Sequence, residues 1–144
     1  MTKKLIDTSV LVHAFDNSDQ EKHFKAKEAV KKLSDDGNGI LSVQNLTEFS
    51  RALSEKAKYK IPYDVVRSYV LPLGVLFPTI NYDQKTIAEA LYIASNYNIH
   101  FFDALLAATM EANFISEIVT ENEKDFSKIP WLKVINPFKQ QQLE

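Results

Sequence analysis

The feature that most constrains the fold is a regular alternation of short apolar runs with longer segments of helical periodicity. The runs 3–7, 39–43, 118–120 and 132–135 are rich in Leu, Ile and Val, and they are too short for helices but long enough for buried strands. The segments between them carry apolar residues at three- and four-residue spacing. Strands that alternate with helices predict an α/β fold, with a mostly parallel sheet of about four to five strands flanked by helices on both faces.

Local signals indicate where the helices begin and end. Polar residues that can cap a helix precede several apolar segments, while proline, glycine or asparagine follow them. The expected starts are Val10, the capping box Ser18-Asp19-Gln20-Glu21, Gln44 or Asn45, Pro62, Asp83 and Asp103, and the expected ends are Leu33, the pair Pro72 and Gly74, and Asn98.

Length and composition predict one domain. The chain has 144 residues, 45% of them hydrophobic, which is enough for a real core. We expect the domain to cover residues 1–138 and residues 139–144 to form a disordered tail, in which Leu143-Glu144 fits a remnant of an expression vector. The sequence contains neither a signal peptide nor an apolar run of bilayer length, and it has no cysteine. These features favour a cytoplasmic protein that does not contact a membrane.

The net charge restricts how the chain could bind nucleic acid. Its formal value is −2, whereas proteins that bind nucleic acid by neutralising phosphates alone are usually basic. Any such role therefore requires a local patch or a bound metal ion. The densest basic segment, 56–60, contains three lysines and Tyr59, and it fits either a solvated helix end or a nucleic-acid contact.

Four carboxylates occupy predicted element boundaries. They are Asp7, Glu48, Asp103 and Asp125. Asp7 ends a buried strand, where a charge is costly unless something compensates it. Each acid also has a structural explanation as a helix cap, a first-turn residue or a loop acid. In parallel sheets, however, the carboxyl ends of the strands share one edge, so Asp7 and the segment 120–122 are expected to line one crevice.

The residue types in this set favour a hard cation. Oxygen ligands suit Mg²⁺ or Mn²⁺, and the three scattered histidines with no cysteine disfavour zinc. Phosphate-binding glycine motifs and a nucleophile elbow are absent from the sequence. Haloacid-dehalogenase phosphatases carry a second aspartate two residues after the first, and Ser9 stands there instead.

The combination of motifs resembles PIN-domain ribonucleases, and more narrowly the VapC-type toxins of type II toxin–antitoxin systems. The stretches that carry the resemblance occur in family order and span residues 4–137. They are LIDTSVLV, SVQNLTEF, FFDALLAATM and IVTENEKDFSKIPWLKVINP.

The resemblance implies a residue-by-residue assignment of a catalytic pocket. Asp7 and Asp103 would be the principal metal ligands, and Glu48 and Asp125 would complete the acidic pocket. Ser9 and Thr120 would orient the first aspartate or a bound water, and Asn122 falls where some relatives carry another aspartate. That last departure leaves the occupancy of a second metal site open. The list of implied site residues is therefore Asp7, Ser9, Glu48, Asp103, Thr120, Asn122 and Asp125.

The implied function is Mg²⁺-dependent endoribonucleolytic cleavage, with Mn²⁺ as a substitute. Water would attack in line and leave a 5′-phosphate and a 3′-hydroxyl. The implied partners are an RNA substrate, a cognate antitoxin and a second copy of the chain in a homodimer. Two alternatives stay open: a housekeeping PIN nuclease acting on RNA or DNA, and a non-catalytic module whose acids only cap helices.

Overall fold

The computed structural model describes residues 2–56 and 58–139, and this part of the chain contains five strands and seven helices. The strands are β1 (Lys4–Ile6), β2 (Gly39–Ser42), β3 (Thr79–Ile80), β4 (Glu117–Val119) and β5 (Lys133–Ile135). The helices are α1 (Thr8–Phe15), α2 (Gln20–Asp36), α3 (Val43–Glu55), α4 (Tyr63–Leu76), α5 (Gln84–Tyr97), α6 (Phe101–Ala112) and α7 (Glu123–Phe126).

The strands form one parallel sheet in the order β3-β2-β1-β4-β5. The chain runs outward from β1 to β3 on one side and then crosses to β4 and β5 on the other. The predicted α/β fold with a parallel sheet is therefore confirmed. The strand order reverses between β1 and β4, and in open α/β sheets such a reversal leaves a crevice at the carboxyl ends of the strands.

The sheet is buried on both faces because successive strand residues point in opposite directions. Leu5 and Ile118 pack on one side with residues of α5 and α6. Ile6 and Val119 pack on the other side with residues of α1 and α3. All four side chains are fully buried, which explains why the strands read as continuous apolar runs in the sequence.

The helix ends differ from the predicted ones where local side-chain contacts compete. Asp19, and not Ser18, caps α2, because the Asp19 carboxylate accepts the Lys22 N–H at 3.1 Å while the Ser18 hydroxyl donates to Asp16 at 2.6 Å. Helix α1 begins at Thr8, directly after β1, and not at Val10.

Two further differences concern α4 and α6. Helix α4 continues through Pro72 to Leu76, because the next residue, Leu73, is buried in the core and holds the last turn in place. A proline inside a helix removes one backbone hydrogen bond, so tertiary packing outweighs local preference here. Helix α6 begins at Phe101, so Asp103 lies within its first turn and does not cap it.

The remaining sequence expectations concern the chain ends and the membrane. Residues 140–144 of the expected tail lie outside the described residues, and the domain boundary at residue 138 stays a prediction. Within the described part of the chain, no helix combines the length and apolar character needed to cross a bilayer.

Replacing Gly39 with alanine should destabilise the sheet by about 1–3 kcal/mol, because a new methyl group would overpack the core. Its Cβ would lie 2.6 Å from Cδ1 of Phe77, a buried ring that has little room to move. Urea unfolding of the two proteins measures the difference. Gly74→Ala is the matched control, since no atom lies within 4 Å of its added Cβ and alanine favours a helix by about 0.5–1 kcal/mol. Equal stabilities for both variants would contradict the packing argument.

Candidate active site

Asp7 occupies the strand end at which the sheet order reverses. Its N–H donates to the Val119 carbonyl at 2.9 Å, which fixes the end of β1 against β4. Its carboxylate caps α1 by accepting the Thr8 N–H at 2.8 Å on Oδ1. The Asn45 amide donates to the same oxygen at 3.3 Å, and the Thr120 hydroxyl donates to Oδ2 at 2.7 Å. Residues from three separate parts of the chain therefore position this carboxylate.

The charge of Asp7 is only partly compensated. Burial raises the pKa of its carboxyl above the ordinary value, and the nearby Glu48 carboxylate raises it further. The hydrogen bonds from Thr120, Thr8 and Asn45 lower the pKa, but the net change is upward. The helix-capping explanation is thus correct for Asp7, yet it does not account for all of the buried charge.

Glu48 faces the same crevice from α3. Its Oε1 accepts a hydrogen bond from the Thr8 hydroxyl at 2.9 Å, and its Oε2 lies 3.5 Å from the Gln44 amide nitrogen. The same Gln44 amide donates to the Phe102 carbonyl at 2.8 Å, which ties α3 to the first turn of α6. Thr8 therefore links Asp7, through its N–H, with Glu48, through its hydroxyl.

Asp103 enters the crevice from the first turn of α6 and has the most informative titration. Its pKa is raised from 3.8 to about 6, first by burial and then by the carboxylates of Asp7, Asp125 and Glu48. The charge of His100 acts in the opposite direction and lowers the pKa. The other three acids are therefore close enough to repel the Asp103 charge, and among the described residues the attraction of His100 does not cancel this repulsion.

Asp125 joins the site through Asn122. Asn122 caps α7, accepting the Asp125 N–H on Oδ1 at 3.3 Å. Its Nδ2 donates both to Oδ2 of Asp103 at 3.2 Å and to Oδ2 of Asp125 at 3.3 Å. The Asn122 N–H donates to the Thr120 hydroxyl oxygen at 3.0 Å. A continuous chain of hydrogen bonds therefore runs from Asp7 through Thr120 and Asn122 to the other two aspartates.

An open cavity of about 630 Å³ adjoins these acids. The Ser9 hydroxyl is buried beside it without a hydrogen-bond partner among the described residues, so it is available to a water molecule or a ligand. The lining residues are Asp7, Thr8, Ser9, Glu48, Arg51, Ala52, Glu55, Lys56 and Asp103.

The structure brings most of the residues suggested by the sequence together. Three of the four acids line the cavity, and Asp125 lies next to them through Asn122. Thr120 contacts Asp7 as expected for an orienting residue, whereas Ser9 only borders the cavity.

Sequence reasoning missed several supporting residues. Asn45 is fully buried and reaches both Asp7 and the Thr8 hydroxyl, at 3.3 and 3.1 Å. The signal that could have revealed it is the polar pair Gln44-Asn45 directly after an apolar strand, at the same sheet edge as Asp7. Lys56 in the cavity wall belongs to the basic segment 56–60 noted in the sequence, whereas the place of Arg51 in that wall had no comparable signal.

The donor set fits a hard divalent cation in its chemistry. The cavity wall includes the carboxylates of Asp7, Glu48 and Asp103 and the unused Ser9 hydroxyl, and oxygen ligands are those that Mg²⁺ and Mn²⁺ prefer. Among residues 2–56 and 58–139, no three acidic or histidine side chains already stand as a finished coordination group. Burial first, and neighbouring carboxylates second, raise the pKa values of Asp7 and Asp103, so their charged forms are unfavourable in the pocket without a cation.

Comparison with known proteins assigns the family. Residues 4–132 match the PIN domain family. The chain belongs to the PIN domain family. This match confirms the resemblance inferred from the four motifs. No curated protein matches the sequence closely enough to add a further assignment.

The fold of this PIN domain is similar to those of toxin–antitoxin proteins. A toxin–antitoxin complex from Klebsiella pneumoniae contains a chain with 23% identity and a TM-score of 0.66, covering 94% of this chain and 98% of that one. DNA-bound VapBC from Salmonella typhimurium has 15% identity, a TM-score of 0.69, and coverages of 93% and 97%. The sarcin-ricin loop cleaving toxin VapC20 of Mycobacterium tuberculosis has 14% identity, a TM-score of 0.67, and coverages of 87% and 94%. At such identities these similarities show the shared fold.

Asp103→Asn should stabilise the metal-free protein above pH 6 and have little effect near pH 4. Because the folded-state pKa of about 6 exceeds the ordinary 3.8, the folded state binds the proton more tightly, so the wild type loses stability as pH rises through this interval. Urea unfolding in EDTA at several pH values measures the effect.

Asp83→Asn provides the opposite case, because hydrogen bonds from Thr86 lower the pKa of the Asp83 carboxyl. This control should not gain stability above pH 6. If the difference in unfolding free energy between the wild type and Asp103→Asn stayed constant from pH 4 to pH 8, the repulsion among the acids would be disproved.

Proposed function

We propose that this PIN domain is a metal-dependent endoribonuclease that acts as the toxin of a toxin–antitoxin pair. The observation that carries the proposal is the convergence of Asp7, Glu48 and Asp103 on one open cavity, with a pKa of about 6 at Asp103. Perturbed carboxyls in a cleft are typical of functional sites. Acids that served only as helix caps would not need to share a cavity.

The proposed ligands are Asp7 and Asp103, with Glu48 and Asp125 completing the acidic pocket. Mg²⁺ or Mn²⁺ bound there would supply positive charge beside the scissile phosphate and lower the pKa of a water molecule. Thr8, Asn45 and Thr120 hold the Asp7 carboxylate in one orientation before any ligand arrives. Such preorganisation avoids reorganisation during the reaction.

RNA binding needs cationic groups near the acids, because carboxylates repel phosphates. Arg51 and Lys56 line the cavity on the side of α3. Their charges suit contacts to phosphates that flank the cleaved bond. Lys58 lies 5.4 Å from the Tyr59 ring centre, so this basic segment combines charge with an aromatic surface.

The antitoxin is proposed to bind along α4. A groove of about 660 Å³ separates α3 from α4, and Arg51 and Glu55 line both this groove and the acidic cavity. A partner in the groove would therefore reach the mouth of the active site. At the start of α4, Tyr63 is 72% exposed and could anchor a partner, whereas Val66 is buried in the core and is not available.

Three further points belong to the proposal. A second candidate surface for the antitoxin is the segment Phe15–Phe24, where Phe24 is 63% exposed, whereas Phe15 packs against Phe49 and Tyr69. A second copy of the chain could pack against an apolar surface on α5, where Leu91 and Tyr92 are 58% and 61% exposed. A cytoplasmic site of action is the location in which such a toxin would meet RNA.

Purified protein should cleave short labelled RNAs with Mg²⁺ or Mn²⁺ and lose this activity in EDTA. Asp103→Asn should lower the rate by more than about 100-fold, since losing even an indirect metal contact typically costs 10–100-fold. Gel analysis of the products measures both effects, and Asp83→Asn serves as the control acid outside the cavity. Undiminished cleavage in EDTA would disprove the metal-dependent mechanism.

Induced expression of the wild type should arrest bacterial growth within a few doublings, while Asp103→Asn should leave growth nearly normal. Co-expression of a small protein encoded directly beside the gene should restore growth to the wild type. Culture density after induction measures these outcomes. Normal growth despite active, soluble enzyme would favour the housekeeping-nuclease alternative.

A further inference from the structure

The part of the acidic pocket around Asp125 contains a positively charged side chain. Lys128 lies 3.7 Å from Oδ1 of Asp125, and its ammonium also donates to the Asn98 carbonyl at 3.1 Å. Asn98 is the C-cap of α5, and carbonyls at a helix C-terminus attract cations. The Lys128 ammonium is therefore held between two partners, the Asp125 carboxylate and the Asn98 carbonyl.

The other oxygen of Asp125 is also engaged. Asn122 donates one amide nitrogen to Oδ2 of Asp125 and to Oδ2 of Asp103. Its own oxygen accepts the Asp125 N–H, so the amide is held at both ends. Asn122 thus brings N–H groups, and no negative charge, to the space between these two aspartates.

The part of the pocket around Asp7 and Glu48 contains no such cationic partner among the described residues. Asp7 and Glu48 receive hydrogen bonds from neutral donors, namely Thr8, Asn45, Thr120 and Gln44. Salt bridges of the described residues include Asp125 but neither Asp7, Glu48 nor Asp103. The carboxylates without a protein counter-ion are therefore Asp7, Glu48 and Asp103, and all three line the same cavity.

We infer that the site binds a single divalent cation, with Asp7 and Asp103 as ligands and Glu48 beside them, and that Asn122 and Lys128 together take the place of a second one. The inference rests on the proposed metal-dependent function and specifies its stoichiometry. One divalent ion offsets most of the charge of three carboxylates. A second ion beside Asp125 would have to displace the Lys128 ammonium and meet the amide N–H groups of Asn122, both of which repel a cation.

The test measures the stoichiometry of Mn²⁺ binding, by electron paramagnetic resonance of the free ion during titration of the full chain. The wild type should bind one Mn²⁺ per chain. Asn122→Asp combined with Lys128→Met should bind two, because the double variant adds a carboxylate and removes the ammonium. Aspartate caps a helix about as well as asparagine, so α7 should keep its cap.

Single variants and a matched control complete the experiment. Lys128→Met alone leaves Asn122 in place and should bind a second ion more weakly than the double variant. Lys133→Met removes a lysine that lies 3.8 Å from Glu117, remote from the cavity, and should still bind one ion. Thermal unfolding checks that each variant is folded.

The outcomes separate this inference from the function on which it rests. The single-cation inference would be overturned if the wild type bound two Mn²⁺ ions with similar affinity. It would also be overturned if both Lys128 variants bound only one ion with unchanged affinity. Either result would leave the proposed metal-dependent nuclease activity intact. No Mn²⁺ bound to the folded wild type would overturn both.

Discussion

The hydrogen bond from the Thr120 hydroxyl to Asp7 is the interaction on which the arrangement of the site depends. It joins two residues that are 113 positions apart in the chain and that follow neighbouring strands. The Thr120 oxygen in turn accepts the Asn122 N–H. One hydroxyl therefore orients both Asp7 and Asn122, the residue that contacts Asp103 and Asp125. Parallel pairing of β1 with β4 places both groups at one edge, and the hydroxyl then converts proximity into a fixed orientation.

This arrangement exchanges stability for function. Burial and mutual repulsion raise the pKa values of Asp7 and Asp103, which means that the metal-free fold contains unfavourable electrostatic energy at neutral pH. The donors around Asp7 reduce that energy without cancelling the charge. A pocket with complete internal compensation would be more stable, but it would have no charge left to attract a cation. Asp125 shows that alternative, because Lys128 and Asn122 already surround it.

The sequence predicted those parts of the fold that depend on local pattern. Four of the five strands were identifiable because apolar runs define strands, and Asp7 was expected beside the segment 120–122 because parallel strands share one carboxyl edge. The assignment of Glu48, Asp103 and Asp125 to the same pocket came from the resemblance to PIN-domain ribonucleases. The strand Thr79–Ile80 escaped notice because two residues carry no periodicity. Asn45 and Lys128 escaped for another reason: their roles depend on side-chain directions after helices have packed, which no spacing within the sequence records. Pro72 misled the prediction because burial of Leu73 outweighed its local effect.

Solved structures that share only 14–23% of their residues with this chain have a similar fold, so the fold tolerates many different side chains. The charge balance of the pocket depends on a few side chains at the carboxyl edge. Replacing a carboxylate by the Asn122 amide changes a repulsive contact with Asp103 and Asp125 into two attractive ones while the cap of α7 is kept. The change therefore costs little in folding, because asparagine and aspartate cap equally well. Under the single-cation inference it acts on how many cations the pocket can hold, so a substitution neutral for the fold would alter the chemistry of the site.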